Sequence, residues 1–136
     1  MNLLMNEFTD SDFSIIVIAL KESIAFLNDY IKENKCPPSS QPYENRIIAK
    51  EALTIFELRK TQIKLNHLRF VVNSLSELKS ELNESLIHPD ITPSESDSLK
   101  ETRRHINHSL RVFRGIFEEL DEDFDVLLSN HFPYTL

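Results

Sequence analysis

The stretch of sequence that decides the fold covers residues 43–86 and reads YENRIIAKEALTIFELRKTQIKLNHLRFVVNSLSELKSELNESL. It contains no glycine and no proline, and apolar residues recur along it at spacings of three and four. Such spacing places apolar side chains on one face of an α-helix. We therefore predict one continuous helix over residues 43–86, which would extend about 66 Å. Polar residues interrupt the apolar stripe between Lys60 and His67, and a break near Asn66 would give a four-helix bundle instead.

Two further helices are predicted on either side of this stretch. Thr9 can cap a first helix over about residues 11–34, and the two prolines of the loop at 36–40 follow its end. The segment Thr92-Pro93-Ser94-Glu95 is a capping box with proline at the first helical position. A last helix is therefore expected to begin at Pro93 and to extend to about residue 129.

The predicted fold class is all-α, an up-down-up bundle of three long helices over about residues 11–34, 43–86 and 93–129. One domain covers residues 1–136, with loose termini at 1–8 and 131–136. The short connection after the second helix makes the last two helices an extended antiparallel hairpin. Pairing them about this connection places residues whose numbers sum to about 180 opposite each other, so that Phe56 meets Phe124.

Composition removes several classes of protein from consideration. A single glycine cannot supply the glycine-rich loops of dinucleotide or Walker-type phosphate sites. The net charge of −7 argues against general binding to nucleic-acid phosphates. The one cysteine permits no internal disulfide and indicates a reducing compartment. No apolar segment approaches the roughly 20 residues of a membrane span, and the first residues lack a signal-peptide pattern, so we expect a cytoplasmic protein without membrane contact.

A mismatch in helix length predicts an exposed apolar strip on the hairpin. The first helix is much shorter than the second and can cover only about residues 47–65 of it. The distal end of the hairpin would then expose seven large apolar side chains, more than a monomer usually exposes in one patch. We therefore predict an interface, most simply with a second copy and otherwise with a partner protein, at Leu68, Val72, Leu75, Leu82, Leu86, Leu99 and Ile106.

Residues 103–108 read RRHINH, an arginine followed by four residues and a histidine. This spacing resembles the signature of HEPN-type helical ribonucleases, and the matching positions are Arg103 and His108. The resemblance covers six residues and implies that the two side chains act on an RNA phosphodiester with the 2′-hydroxyl as nucleophile. Positions five apart on a straight helix lie roughly 140° apart around its axis, so Arg103 and His108 would share one face only if the helix were kinked. The alternative is a basic, solvated face paired with Glu77 and Glu81.

An acidic run near the end of the last predicted helix is the second candidate site. Helical spacing would bring Glu118 near Glu122 and Asp121 near Asp125, an arrangement that can hold a divalent cation. No histidine joins the run at metal-site spacing, so we predict no metal site. The run can instead dock a basic partner or be compensated by Arg59 and its neighbouring lysines. Its six carboxylates are Glu118, Glu119, Asp121, Glu122, Asp123 and Asp125.

The sequence therefore predicts a non-enzymatic helical interaction or regulatory module that acts through the apolar face of the distal hairpin, as a homodimer or with a partner protein and without a cofactor. The first alternative is a HEPN-like ribonuclease of the toxin type that uses Arg103 and His108. The second alternative is an acidic decoy that occupies the nucleic-acid site of a basic protein. These functions differ in salt dependence, because ionic contacts weaken with ionic strength and apolar contacts do not.

Overall fold

The computed structural model describes Leu3 and residues 5–129, apart from the side chain of Ser129. These residues are helical without any strand, which confirms the all-α prediction. No helix among them is both long and apolar enough to cross a membrane. Five α-helices pack together in the described part of the chain: α1 (Asp10–Glu33), α2 (Gln41–Glu57), α3 (Leu65–Leu86), α4 (Pro93–Glu119) and α5 (Phe124–Ser129).

The prediction of one continuous helix over residues 43–86 is wrong, because the chain breaks between α2 and α3. Arg59 adopts a φ of 51°, in the left-handed region. The N–H of Lys60 donates to the carbonyl of Ile55 at 2.9 Å, so α2 ends in a Schellman motif with arginine at the position that usually holds glycine. The absence of glycine and proline from this stretch therefore did not mean the absence of a helix end.

The predicted last helix over residues 93–129 divides in the same way. Asp121 has a φ of 54°, and the N–H of Glu122 donates to the carbonyl of Phe117 at 3.0 Å. α4 therefore ends at Glu119, and the short α5 follows after a turn. Because both long helices are broken, five shorter helices take the place of the predicted up-down-up bundle of three.

α3 occupies the centre of the molecule and packs against each of the other four α-helices. Its Phe70, Val71 and Leu75 are completely buried. The first turn of α1 reaches α4 through Asp12, whereas the middle of α1 reaches α3 through Ser23. α1 therefore lies across both helices of the α3–α4 hairpin.

Aromatic rings fill the end of the core where α1, α2 and α4 meet. Phe56 packs against Phe13 and Phe113, with ring centroids 6.4 and 6.2 Å apart. Phe124 packs against Phe117 instead, at 5.5 Å. The predicted pairing of Phe56 with Phe124 is therefore wrong, because it assumed that residues 43–86 form one helix.

Leu3 and Phe8 belong to the core, whereas the sequence predicted a loose lead-in over residues 1–8. The side chains of Leu3 and Phe8 are buried, and the N–H of Leu3 donates to the carbonyl of Thr61 at 2.7 Å. Leu3 therefore contacts the connection between α2 and α3, and Phe8 packs against the aromatic rings of the core. The predicted loose end at 131–136 lies outside the described residues.

Candidate functional site

Most of the predicted apolar interface lies inside the chain itself. The break before α3 lets α1 and α2 cover the hairpin, so that the strip is enclosed rather than exposed. Only Leu86 and Leu99 remain partly exposed, near the tip of the hairpin. The argument for a homodimer through this strip depended on its exposure and no longer holds. The enclosed members are Leu68, Val72, Leu75, Leu82 and Ile106.

The structure does not bring Arg103 and His108 together, although both lie on α4. The guanidinium of Arg103 donates to the side-chain carbonyl of Asn83 on α3 at 3.0 Å. The ring of His108 lies against Asp12 on α1, with 2.7 Å between Nδ1 and Oδ2. Because the two side chains contact different neighbouring helices, they do not form the paired arrangement that the ribonuclease resemblance implies.

A buried aspartate on α1, Asp12, contacts two histidines of α4. The side chain of Asp12 is completely buried, and its Oδ1 lies 3.0 Å from Nδ1 of His105. Its Oδ2 accepts from the N–H of Thr9 at 2.9 Å, in a capping box that begins α1. An ionised carboxylate can only accept hydrogen bonds, so Nδ1 of both His105 and His108 carries the proton. We call Asp12, His105 and His108 the Asp-His cluster.

The electrostatics of the Asp-His cluster hold Asp12 in its ionised form. Burial by itself raises the pKa of Asp12, but hydrogen bonds from the Thr9 backbone, His108 and His105 outweigh it and lower the pKa below its usual value. Nε2 of His105 lies 3.2 Å from Glu101 and 3.4 Å from Arg104. If the His105 ring is protonated, Nε2 donates to the carboxylate of Glu101; if the ring is neutral, Nε2 accepts from the guanidinium of Arg104. Either form therefore has a hydrogen-bond partner.

The two histidines of the cluster differ in what they can do chemically. His105 is held on both ring nitrogens and is mostly buried. His108 is 40% exposed, and its Nε2 has no hydrogen-bond partner among the described residues. His108 therefore has the geometry of a base oriented by a buried carboxylate. Nothing in the sequence links Asp12 to a segment more than ninety residues away, so this contact is not predictable from the sequence alone.

The acidic run does not form the predicted carboxylate cluster. Glu122 pairs with Arg69 at 2.9 Å, and Asp125 pairs with Arg114 at 3.1 Å. The end of α4 at Glu119 removes the helical spacing on which the predicted pairs depended. Within the described residues no three side chains of the metal-binding types are grouped to hold an ion. The remaining members of the run, Glu118, Glu119, Asp121 and Asp123, are exposed.

Arg59 does not compensate the acidic run, as one alternative expected. Its guanidinium lies 2.9 Å from the carboxylate of Asp10 and 4.2 Å from the ring centre of Phe13. Both contacts are with the start of α1 and not with the acidic run. The positive charges that meet the run come instead from Arg69 and Arg114.

A groove between α1 and α3 is the second candidate site, with a cavity volume of about 130 Å³. At its base the hydroxyl of Ser23 donates to that of Ser74 at 2.9 Å, which ties the two helices together. The ring of Phe26 stands beside it, 49% exposed. Sequence reasoning missed this groove because it depends on α1 crossing α3. We call it the α1–α3 groove, lined by Ala19, Phe26 and Leu78 and rimmed by Glu22, Glu77 and Glu81.

The carboxylates of the groove lie close enough to affect one another. Burial raises the pKa of Glu81, and the negative charges of Glu22, Glu77 and Glu84 raise it further. The groove therefore combines apolar surface with negative potential. Along the adjoining face of α1, Ile18 is also 49% exposed, two turns before Phe26.

No protein-family model, curated protein or solved structure matches this chain.

Proposed function

We propose that this chain is a non-enzymatic interaction module that binds a partner protein through the α1–α3 groove. The observation that carries the proposal is the half-exposed side chain of Phe26 beside a cavity between two packed helices, where Ala19 and Leu78 add apolar surface. Aromatic side chains that stand next to a small apolar pocket are typical of the residues that dominate binding energy at protein interfaces.

The groove is preformed, which favours this use. α1 and α3 are joined beneath it by the hydroxyl pair of Ser23 and Ser74, and Ala19 at its base is buried. Binding at a surface of packed helices costs less conformational entropy than binding that must first order a flexible loop. Ile18 extends the apolar surface along α1, so that a helix of the partner can contact two apolar side chains.

The proposal is tested by titrating the ¹⁵N-labelled protein with a neutral amphipathic helical peptide of leucine and glutamine and following amide chemical shifts. We expect shifts concentrated at residues 15–30 and 74–81. The variant Phe26→Ala should weaken binding at least tenfold, whereas Ile47→Ala, at a side chain 51% exposed on α2, should leave it unchanged. Shifts spread evenly over the molecule, or equal effects of the two variants, would refute the groove as the docking surface.

A second candidate function is RNA cleavage, which the contact between His108 and Asp12 favours. The buried carboxylate holds Nδ1 of His108 at 2.7 Å and directs Nε2 away from it, as a general base for a 2′-hydroxyl requires. Arg103 is bound to Asn83 and has no part in this candidate. Purified wild-type protein should then cleave single-stranded RNA, and His108→Ala should abolish cleavage. Equal cleavage by the two proteins, or none by the wild type, excludes this function.

A further inference from the structure

We propose that the partner segment in the α1–α3 groove is a basic amphipathic helix, with an arginine or lysine seated between Phe26 and the rim carboxylates. This inference depends on the proposed function, because it names the chemistry of the partner at the same surface. Two features of the groove select such a segment: its apolar lining side chains, Ala19, Phe26 and Leu78, and the negative charge of its rim.

The apolar part of the groove fits the aliphatic stem of a long basic side chain. Phe26 and Leu78 offer carbon surface on either side of a cavity of about 130 Å³, which accommodates one side chain rather than an extended ligand. Arginine and lysine bury their methylene groups against apolar surface while the charged end stays at the edge. Phe26 stacks on Tyr30 at a ring-centroid distance of 6.4 Å and is 49% exposed, so its ring can also attract a cation.

The rim supplies the charge that such a side chain meets. Glu77 and Glu81 are one turn apart on α3, and Glu22 faces them from α1. Burial raises the pKa of Glu81, and repulsion by the nearby carboxylates of Glu22 and Glu77 raises it further. An incoming cation relieves this repulsion and forms charge-assisted hydrogen bonds with the carboxylates. The groove therefore favours a basic side chain over a neutral one of similar size.

The spacing of the exposed apolar residues on α1 indicates where the partner helix carries its own apolar residues. Ile18 and Phe26 are eight residues apart, or about 12 Å along the helix axis. A partner helix that lies along α1 contacts Ile18 and Phe26 with two apolar residues of its own that are two turns apart. Its basic residue lies between those two apolar residues. A second copy of this chain is a poor occupant, because each copy carries a net charge of −7 and the two would repel.

The test uses fluorescence anisotropy with a labelled helical peptide that carries leucines two turns apart and arginines between them. A matched peptide has glutamine in place of arginine. The protein variants are Glu77→Gln with Glu81→Gln and, as a control with the same change of net charge, Glu118→Gln with Glu119→Gln. We expect the arginine peptide to bind wild type at least tenfold more tightly than the glutamine peptide. The first double variant should remove this preference and the control should keep it.

Each other outcome overturns the inference in a distinguishable way. Equal losses in the two double variants show that only net charge matters. Equal binding of both peptides, with loss in Phe26→Ala, leaves the groove as a docking surface but removes the basic partner. Absence of binding by both peptides removes the proposed function as well. Sedimentation velocity that shows a dimer dissociated by Phe26→Ala identifies the occupant as a second copy. Circular dichroism of every variant establishes that the loss does not come from unfolding.

Discussion

Lys35 lies at the end of α1 in a conformation that glycine adopts more readily. Its φ is 49°, and the N–H of Cys36 donates to the carbonyl of Ile31 at 3.0 Å, which completes a Schellman motif. An L-residue in the left-handed region costs roughly 1 to 2 kcal/mol. We therefore predict that Lys35→Gly stabilises the protein.

The size of the effect follows from what the substitution removes and adds. The side chain of Lys35 is exposed and forms no ion pair with the described residues, so its removal costs little. Glycine increases the conformational entropy of the unfolded chain, which offsets about 0.5 to 1 kcal/mol of the relieved strain. A net gain of about 0.5 to 1 kcal/mol remains, which raises Tm by roughly 2 to 4 °C in a domain of this size.

Arg59→Gly provides an informative comparison, because Arg59 has nearly the same φ, 51°. This substitution also removes the contact of the guanidinium with Phe13 at 4.2 Å and the exposed ion pair with Asp10. The cation–π contact contributes about 0.5 to 1 kcal/mol and the ion pair at most a few tenths, so the strain relief is cancelled. We expect Arg59→Gly to change the free energy of unfolding by less than about 0.5 kcal/mol.

Urea unfolding followed by circular dichroism measures all of these variants. The control is Lys21→Gly, at an exposed position in the interior of α1, where glycine costs about 1 kcal/mol. If Lys35→Gly destabilised the protein as much as Lys21→Gly, Lys35 would not occupy the left-handed region. The account of how a chain with one glycine ends its helices would then be refuted.

Three further predictions concern the core and the Asp-His cluster. Asp12→Ala should destabilise the protein by about 3 kcal/mol in urea unfolding, because it leaves His105 and His108 without their acceptor and removes half of the capping box. The pKa of Asp12 is lowered in the folded state, so the stabilisation by its ionised carboxylate is fully present above the ordinary carboxyl pKa near 3.8 and is lost as the pH falls through the folded value. In Asp12→Asn the free energy of unfolding should therefore fall less steeply below about pH 4 than in the wild type. Equal acid sensitivity of the two proteins would contradict this. Phe113→Ala should cost about 3 to 5 kcal/mol, measured in the same way, because the ring is completely buried among Phe8 and Phe56.

Several local features of this protein are determined by the sequence itself. The helical class follows from apolar spacing and from the near-absence of glycine. The helix starts at Thr9 and Thr92 are encoded by side chains that bond to backbone N–H groups three residues away, and the structure contains both hydrogen bonds. Such signals need only a few consecutive residues, which is why they can be predicted without knowledge of the rest of the chain.

The break between α2 and α3 was decided by tertiary structure. Locally, the left-handed conformation of Arg59 is unfavourable by roughly 1 to 2 kcal/mol, so the residues around it give no clear reason to end a helix. Ending it there buries Leu68 and Leu75 within the chain, and each buried side chain of this size contributes about 1.5 to 3 kcal/mol. The polar interruption after Lys60 was the one available signal, and its effect depends on distant residues.

The candidate sites depend on tertiary structure for the same reason. Asp12 meets His105 and His108, and Glu22 meets Glu81, only because α1 crosses the α3–α4 hairpin. The break in residues 43–86 lets α2 fold back, so that both α1 and α2 pack against α3. Apolar burial favours whichever chain path encloses the most carbon surface, and that path is a property of all helices together rather than of any one segment.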